Sequence, residues 1–190
     1  LIESEYQPTS EHLSQAILIC KGKIAERLLE AGCNPPTSEQ VSQSIAANNF
    51  FKNREPAKAF FSKCEITPKH FNEAINAANY GAIDIFIELG HLPTEEHLTQ
   101  AIQSDNDSPK CYLVNRILES GCKPTSSHLS EAIRTNRFAI NPLLKFGCKP
   151  DENHLTLLLN NNYSNNFNIV KSFIEAKCKF TPKHLTQTIE

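Results

Sequence analysis

Apolar or histidine residues recur along this chain at the third, fourth, seventh and eighth places after a Thr or Asp. After Thr9 they are His12, Leu13, Ala16 and Ile17, and after Thr125 they are His128, Leu129, Ala132 and Ile133. On a helix of 3.6 residues per turn those places form one stripe, with polar residues around the rest of the circumference. The phrase that carries them, Pro-Thr-x-x-His-Leu-x-x-Ala-Ile, is clearest at Thr9, Thr94 and Thr125 and looser at Thr37, Thr67, Asp151 and Thr181. Its Thr or Asp is a helix N-cap, and the Pro stops whatever precedes it. A second apolar segment follows each phrase, as at 24–30 and 114–119. Four of these segments end at Gly32, Gly90, Gly121 and Gly147, the residue type that most easily takes a left-handed C-cap. Lys63 and Lys177 hold that place in units two and six, where a weaker cap is expected. Each unit therefore predicts two helices, and no segment alternates as a strand would.

The His places, with Gln40 in one of them, fall at 12, 40, 70, 97, 128, 154 and 184, in steps of 28, 30, 27, 31, 26 and 30 residues. Taken two at a time the steps are 58, 57, 58, 57 and 56, so long and short units alternate. The additional residues lie between the two helices of units two, four and six, around 48–54, 105–109 and 160–168. Insertions at one place in a repeat map to one face, often a binding face. A period of this length means stacked units that touch only their neighbours. The expected fold is all-α: a right-handed αα-solenoid of six full two-helix repeats with a half repeat at each end, one domain spanning 1–190. The opening residues 1–9 align without a gap on 117–125, and 181–190 begin a seventh unit. A fragment of a longer protein is expected.

Three segments resemble ankyrin repeats. Leu28-Leu29-Glu30-Ala31-Gly32-Cys33 is similar to the end of an ankyrin second helix, with Cys for the usual Ala. The run 77–85 resembles the inter-helix phrase, and Thr67-Pro68-Lys69-His70 resembles the helix opening. Here, however, the Ala pair comes late, with Ala77 ten residues beyond Thr67, so the first helix is about one turn longer. The unit is also shorter than the ankyrin period of about 33 residues. Little is left for a projecting β-hairpin, and 121–125 allow only a tight turn. The resemblance implies an ankyrin-like stack without β-hairpins that binds protein on a concave helical face.

Charge narrows the range of partners. Lys and Arg number 19 against 21 Asp and Glu, which lacks the basic excess of a nucleic-acid binder. No apolar run reaches the length of about 18 residues that a membrane span needs. Seven cysteines is an odd number, so a fully paired disulfide framework does not fit. Cys33, Cys64, Cys122, Cys148 and Cys178 share one repeat position and read as small buried residues in a reducing compartment, the cytoplasm. Cys20 and Cys111 lie off that position. The Asn-rich loop at 160–168, with abundant Ile and Lys, suggests an AT-rich genome. The profile is similar to ankyrin-type proteins injected by intracellular bacteria, for which the compartment would be the host cytoplasm.

Cys and His recur six residues apart, as in Cys64–His70 and Cys122–His128. Structural zinc sites use closer pairs, and the period itself explains the recurrence. The repeated His is expected to donate a hydrogen bond to a loop backbone of an adjacent unit. Gln40 in that place supports this, because an amide keeps such a bond and is a poor metal ligand. Neither Cys20 nor Cys111 has a nucleophile's local motif, His91 reads as a helix-end residue, and no Gly-rich phosphate loop exists. No catalytic residue, metal or cofactor is expected.

The chain thus reads as a monomeric module that binds a protein or peptide along its helical face and inter-helix loops. Gln15, Asn76, Gln100, Gln103, Glu131 and Arg134 face away from the stripe and are the expected contacts. Phe60 and Phe61 match core positions, whereas Phe50 and Phe51 fall in the inserted loop and are expected as exposed contacts. Tyr112 and Tyr163, near the corresponding later loops, are further candidates. The alternative is a regulatory or substrate-docking domain of a larger enzyme whose catalytic part lies outside this chain.

Overall fold

A computed structural model describes residues 7–19, 21–47, 50, 53–104, 111–161, 167–179 and 181. The two half repeats therefore lie largely outside the described residues, as do Cys20, Phe51, Tyr163 and most of the inserted segments. Twelve helices and no strand are found among the described residues. They are α1 Ser10–Leu18, α2 Gly22–Glu30, α3 Ser38–Ala46, α4 Arg54–Phe61, α5 Pro68–Asn76, α6 Tyr80–Glu88, α7 Glu95–Ser104, α8 Tyr112–Glu119, α9 Ser126–Thr135, α10 Arg137–Lys145, α11 Glu152–Asn160 and α12 Phe167–Glu175. None is long and apolar enough to cross a membrane.

The odd-numbered helices start one residue after the Thr or Asp of the phrase, and their stripes are buried as the spacing requires. Phe71, Ala74 and Ile75 on α5, and Leu129, Ala132 and Ile133 on α9, are at most 3 % exposed. The even-numbered helices begin earlier than their apolar pattern, α2 at Gly22 and α8 at Tyr112. Their starts are set by the preceding turn, not by the first apolar residue. Spacing between paired helices alternates as expected. Ala46 to Arg54, Ser104 to Tyr112 and Asn160 to Phe167 are the wide gaps, and Leu18 to Gly22, Asn76 to Tyr80 and Thr135 to Arg137 the narrow ones.

The chain divides into two compact units, Leu1–Leu92 and Pro93–Glu190. In the first, α1 packs on α3 and α3 on α5 in one row, while α2 packs on α4 and α4 on α6 in the other. In the second, α7, α9 and α11 form one row and α8, α10 and α12 the other. Each helix thus contacts its near neighbours, as stacked helix pairs do.

Helix ends follow the capping expectation with two instructive exceptions. Gly32, Gly90, Gly121 and Gly147 all take positive φ, from 89° to 102°. After Gly147, the Cys148 amide reaches back to the Leu143 carbonyl at 3.0 Å and closes a Schellman turn. Lys177 adopts the same left-handed conformation, φ 60°, and Cys178 closes the same turn on Phe173 at 3.0 Å. Lys63 does not have positive φ. There the Cys64 amide bonds to Phe61 at 3.0 Å, and α4 leaves by a different turn.

Candidate functional site

The repeated histidines are internal ties. His70, His97, His128 and His154 are each at most 4 % exposed. The backbone N–H of the cap residue donates to Nδ1 of the His three places on: Thr67 to His70 at 3.1 Å, Thr94 to His97 at 2.9 Å and Thr125 to His128 at 3.0 Å. A backbone amide can only donate, so the Nδ1 it meets carries no proton. The ring then holds its proton on Nε2, and in His70 and His128 that proton is donated across to the preceding odd helix. His70 reaches the Ser38 carbonyl at 3.2 Å and His128 the Glu95 carbonyl at 3.0 Å.

The acceptors differ from the expected loop backbone. Each is the first residue of the neighbouring helix, because stacking in register sets the ring one turn inside its own helix opposite the neighbour's start. Gln40 performs both tasks with its amide. Its Oε1 accepts from the Thr37 N–H at 3.0 Å, and its Nε2 donates to the Ser10 carbonyl at 2.9 Å and to Ser14 Oγ at 2.8 Å. In the sixth pair His154 bonds to the Ser126 carbonyl at 2.9 Å, but Asp151 replaces Thr and sets Oδ1 2.6 Å from Nδ1. Hydrogen bonding from the His154 backbone amide holds the Asp151 carboxyl below its ordinary range. For His70 and His128 both ring nitrogens are thus committed within the fold. Among the described residues no group of three or more His, Cys, Asp or Glu is placed to hold a metal ion.

The recurring thiols are free and stand at the ends of five of the six helix pairs, with His91 in that place in the third. Cys148 Sγ donates to the Thr125 carbonyl at 3.3 Å and Cys178 Sγ to the Asp151 carbonyl at 3.4 Å. Burial pushes Cys33, Cys122, Cys148 and Cys178 above the usual thiol range, and Cys64 up to about 12. A thiol held protonated is a poor nucleophile. Cys111 is 1 % exposed and left-handed, φ 42°, at the start of α8.

A second set of ties went unseen in the sequence. Asn79 donates from Nδ2 to the Ile45 carbonyl at 2.7 Å, Asn136 to the Ile102 carbonyl at 3.1 Å, and Asn161 to the Ile133 carbonyl. Each acceptor is the stripe Ile eight places after a cap, near a helix C-terminus where carbonyls lack helical partners. Asn79 also accepts from the Ala82 amide at 3.1 Å, capping the next helix. The signal was present, since Asn stands ten to twelve residues past the caps at Thr67, Thr125 and Asp151. Its variable offset and the general abundance of Asn hid it.

The expected contact residues fall in different surroundings. Gln103 and Arg134 are exposed, and Gln100 and Glu131 are half-buried beside them on α7 and α9. Gln103 Nε2 donates to Glu131 Oε1 at 2.8 Å, which joins the two helices on their outer side. Arg134 lies three residues beyond Glu131 on the same helical face. The structure therefore gathers these four into one patch of the second unit. Gln15 and Asn76 are also exposed, but on α1 and α5, with α3 between them.

Phe50 is a correction. It is 1 % exposed, with ring centroids 5.1 Å from Phe60 and 6.3 Å from Phe61 in edge-on contacts. Its ring is buried because the neighbouring core offers aromatic edges and faces. Tyr112 is 39 % exposed, His91 half-buried.

Two surface features of the first unit were not anticipated. Glu88 on α6 accepts from Arg54 and from Lys58, the latter at 3.2 Å, and these two cations hold its carboxyl below the usual range. An open hollow of about 520 Å³ between α2 and α4 is lined by Lys23, Glu26, Asn53, Arg54, Glu55 and Pro56. Its lining mixes both signs of charge and selects no one ligand chemistry. No protein-family model, no curated protein and no solved structure matches this chain.

Proposed function

We propose that this chain is a protein–protein interaction module: a right-handed stack of six two-helix repeats, ankyrin-like but without β-hairpins, that binds a protein or peptide on the outer side of its first helices. The observation that carries this reading is the patch of Gln100, Gln103, Glu131 and Arg134. Four polar side chains stand on two adjacent helices, and the 2.8 Å Gln103–Glu131 bond orients two of them. The helices beneath are fixed by the His and Asn ties, so the patch loses little freedom when a partner docks. In this reading the chain performs no chemistry of its own.

Reversing the charges with Glu131→Lys and Arg134→Glu tests the proposal. Capture from lysate is expected to lose or exchange partners, while circular dichroism shows helicity unchanged. An identical capture profile from the altered and original chains, at equal helicity, would remove the patch from consideration.

A further inference from the structure

Two apolar faces, one on α12 and one on α2, stay exposed among the described residues. On α12, Phe167 is 75 % and Ile174 57 % exposed, with half-buried Val170 between them. These three stand ten, three and seven residues before Lys177. The same places before Gly121 on α8 are Cys111, Leu118 and Val114, which are 1 %, 2 % and 0 % exposed. Residue type does not separate the two sets, since both are apolar. The neighbour does: α10 packs on α8, whereas no described helix lies beyond α12.

The mirror case occurs on α2. Ile24, eight residues before Gly32, is 46 % exposed, and Leu28 is half-buried. Their counterparts on α12, Ile169 and Phe173, are 8 % and 0 % exposed, with α10 packed against that helix. So α12 presents the side that an even helix turns to its successor, and α2 presents the side it turns to its predecessor. Within each of the two units such sides cover one another, in α2 on α4 and α4 on α6, and in α8 on α10 and α10 on α12.

We infer that two copies of this chain associate end to end, with Phe167, Val170 and Ile174 of α12 in one copy covering Ile24 and Leu28 of α2 in the other. The contact continues the packing between even helices that the fold already uses. It is heterologous, since the two faces are different surfaces, and each copy carries one of each. The sequence pattern alone shows only that these residues are apolar, as they are in every unit.

Light scattering on the 190-residue chain, from about 1 to about 300 µM, spans the affinities of ordinary specific contacts. The mass is expected to rise above that of a monomer with concentration. Ile174→Glu or Ile24→Glu alone is expected to weaken association about tenfold or more, because a charge would be buried in an apolar contact. Mixing the two altered chains is expected to restore a dimer, since each keeps the face that the other has lost. Phe167→Ser, at a more exposed site, repeats the test should Ile174→Glu lose helicity by circular dichroism. A monomeric mass at every concentration overturns the inference, as does association that none of these changes weakens.

Discussion

Behind the same repeated helix starts, the first unit builds a cluster of edge-on rings into its aliphatic core, whereas the second relies mainly on branched aliphatic side chains. Phe61 lies 5.1 Å from both Phe60 and Phe86, and Phe71 lies 5.3 Å from Phe86, all edge-on. The corresponding interior of the second unit is made by Leu98, Ile102, Val114, Ile117, Leu129, Ile133, Ile140 and Leu143, each 0 % exposed. The polar ties do not follow that division. An amide or an imidazole in the third place after the cap makes the same pair of bonds in either unit. Core residues need only fill volume without strain, so their identity drifts. The ties must match a donor to an acceptor across a fixed gap, so their positions repeat.

The sharpest probe of this contrast is a pair of truncations. Phe61→Ala removes a ring edge-packed on Phe50, Phe60 and Phe86 and is expected to cost about 4 kcal/mol, against about 3 kcal/mol for Leu129→Ala. Urea unfolding monitored by far-ultraviolet circular dichroism measures both. Equal losses would mean that the aromatic geometry adds nothing beyond volume.

A smaller effect tests whether the ties are interchangeable. His128→Leu strands the part-buried Thr125 amide and removes the cross-helix bond to Glu95, whose carbonyl still accepts from Thr99 Oγ1, and should destabilise by about 1–3 kcal/mol. His128→Gln should cost less than about 1 kcal/mol, since Gln40 already works in that place. If Gln proves as harmful as Leu, the ring matters for packing rather than for its two hydrogen bonds.

The smallest effect separates the two lysines at the Gly position. Lys177 is left-handed and Lys63 is not. Lys177→Gly should therefore stabilise by about 0.5–1 kcal/mol, because a Cβ is strained at positive φ. Lys63→Gly should give no gain and a loss of about 0.5 kcal/mol from the greater freedom of the unfolded chain. A gain at both sites would contradict the different turn that closes α4.

Much of this architecture was legible because a 3.6-residue stripe, a Thr cap and a Gly stop are local signals. They placed the odd helices closely, and Gln40 among the histidines foretold a hydrogen bond before any partner was visible. Phe50 was misplaced because loop membership predicts exposure only when no aromatic pocket lies within reach. The Asn ties were missed because their donor and acceptor come from different helix pairs, and no single segment contains both. For the contact residues, outward direction could be read from the helical period, but the meeting of Gln103 with Glu131 could not.

The order of residues alone settled where the odd-numbered helices begin, which side of each is apolar, and that a two-helix phrase recurs down the chain, because those properties depend on neighbours within about four positions. Three-dimensional packing alone chose which carbonyl each His and Asn reaches, whether a Lys bends left-handed, and which apolar sides stay uncovered. Those outcomes depend on what stands across a gap from residues about thirty positions away.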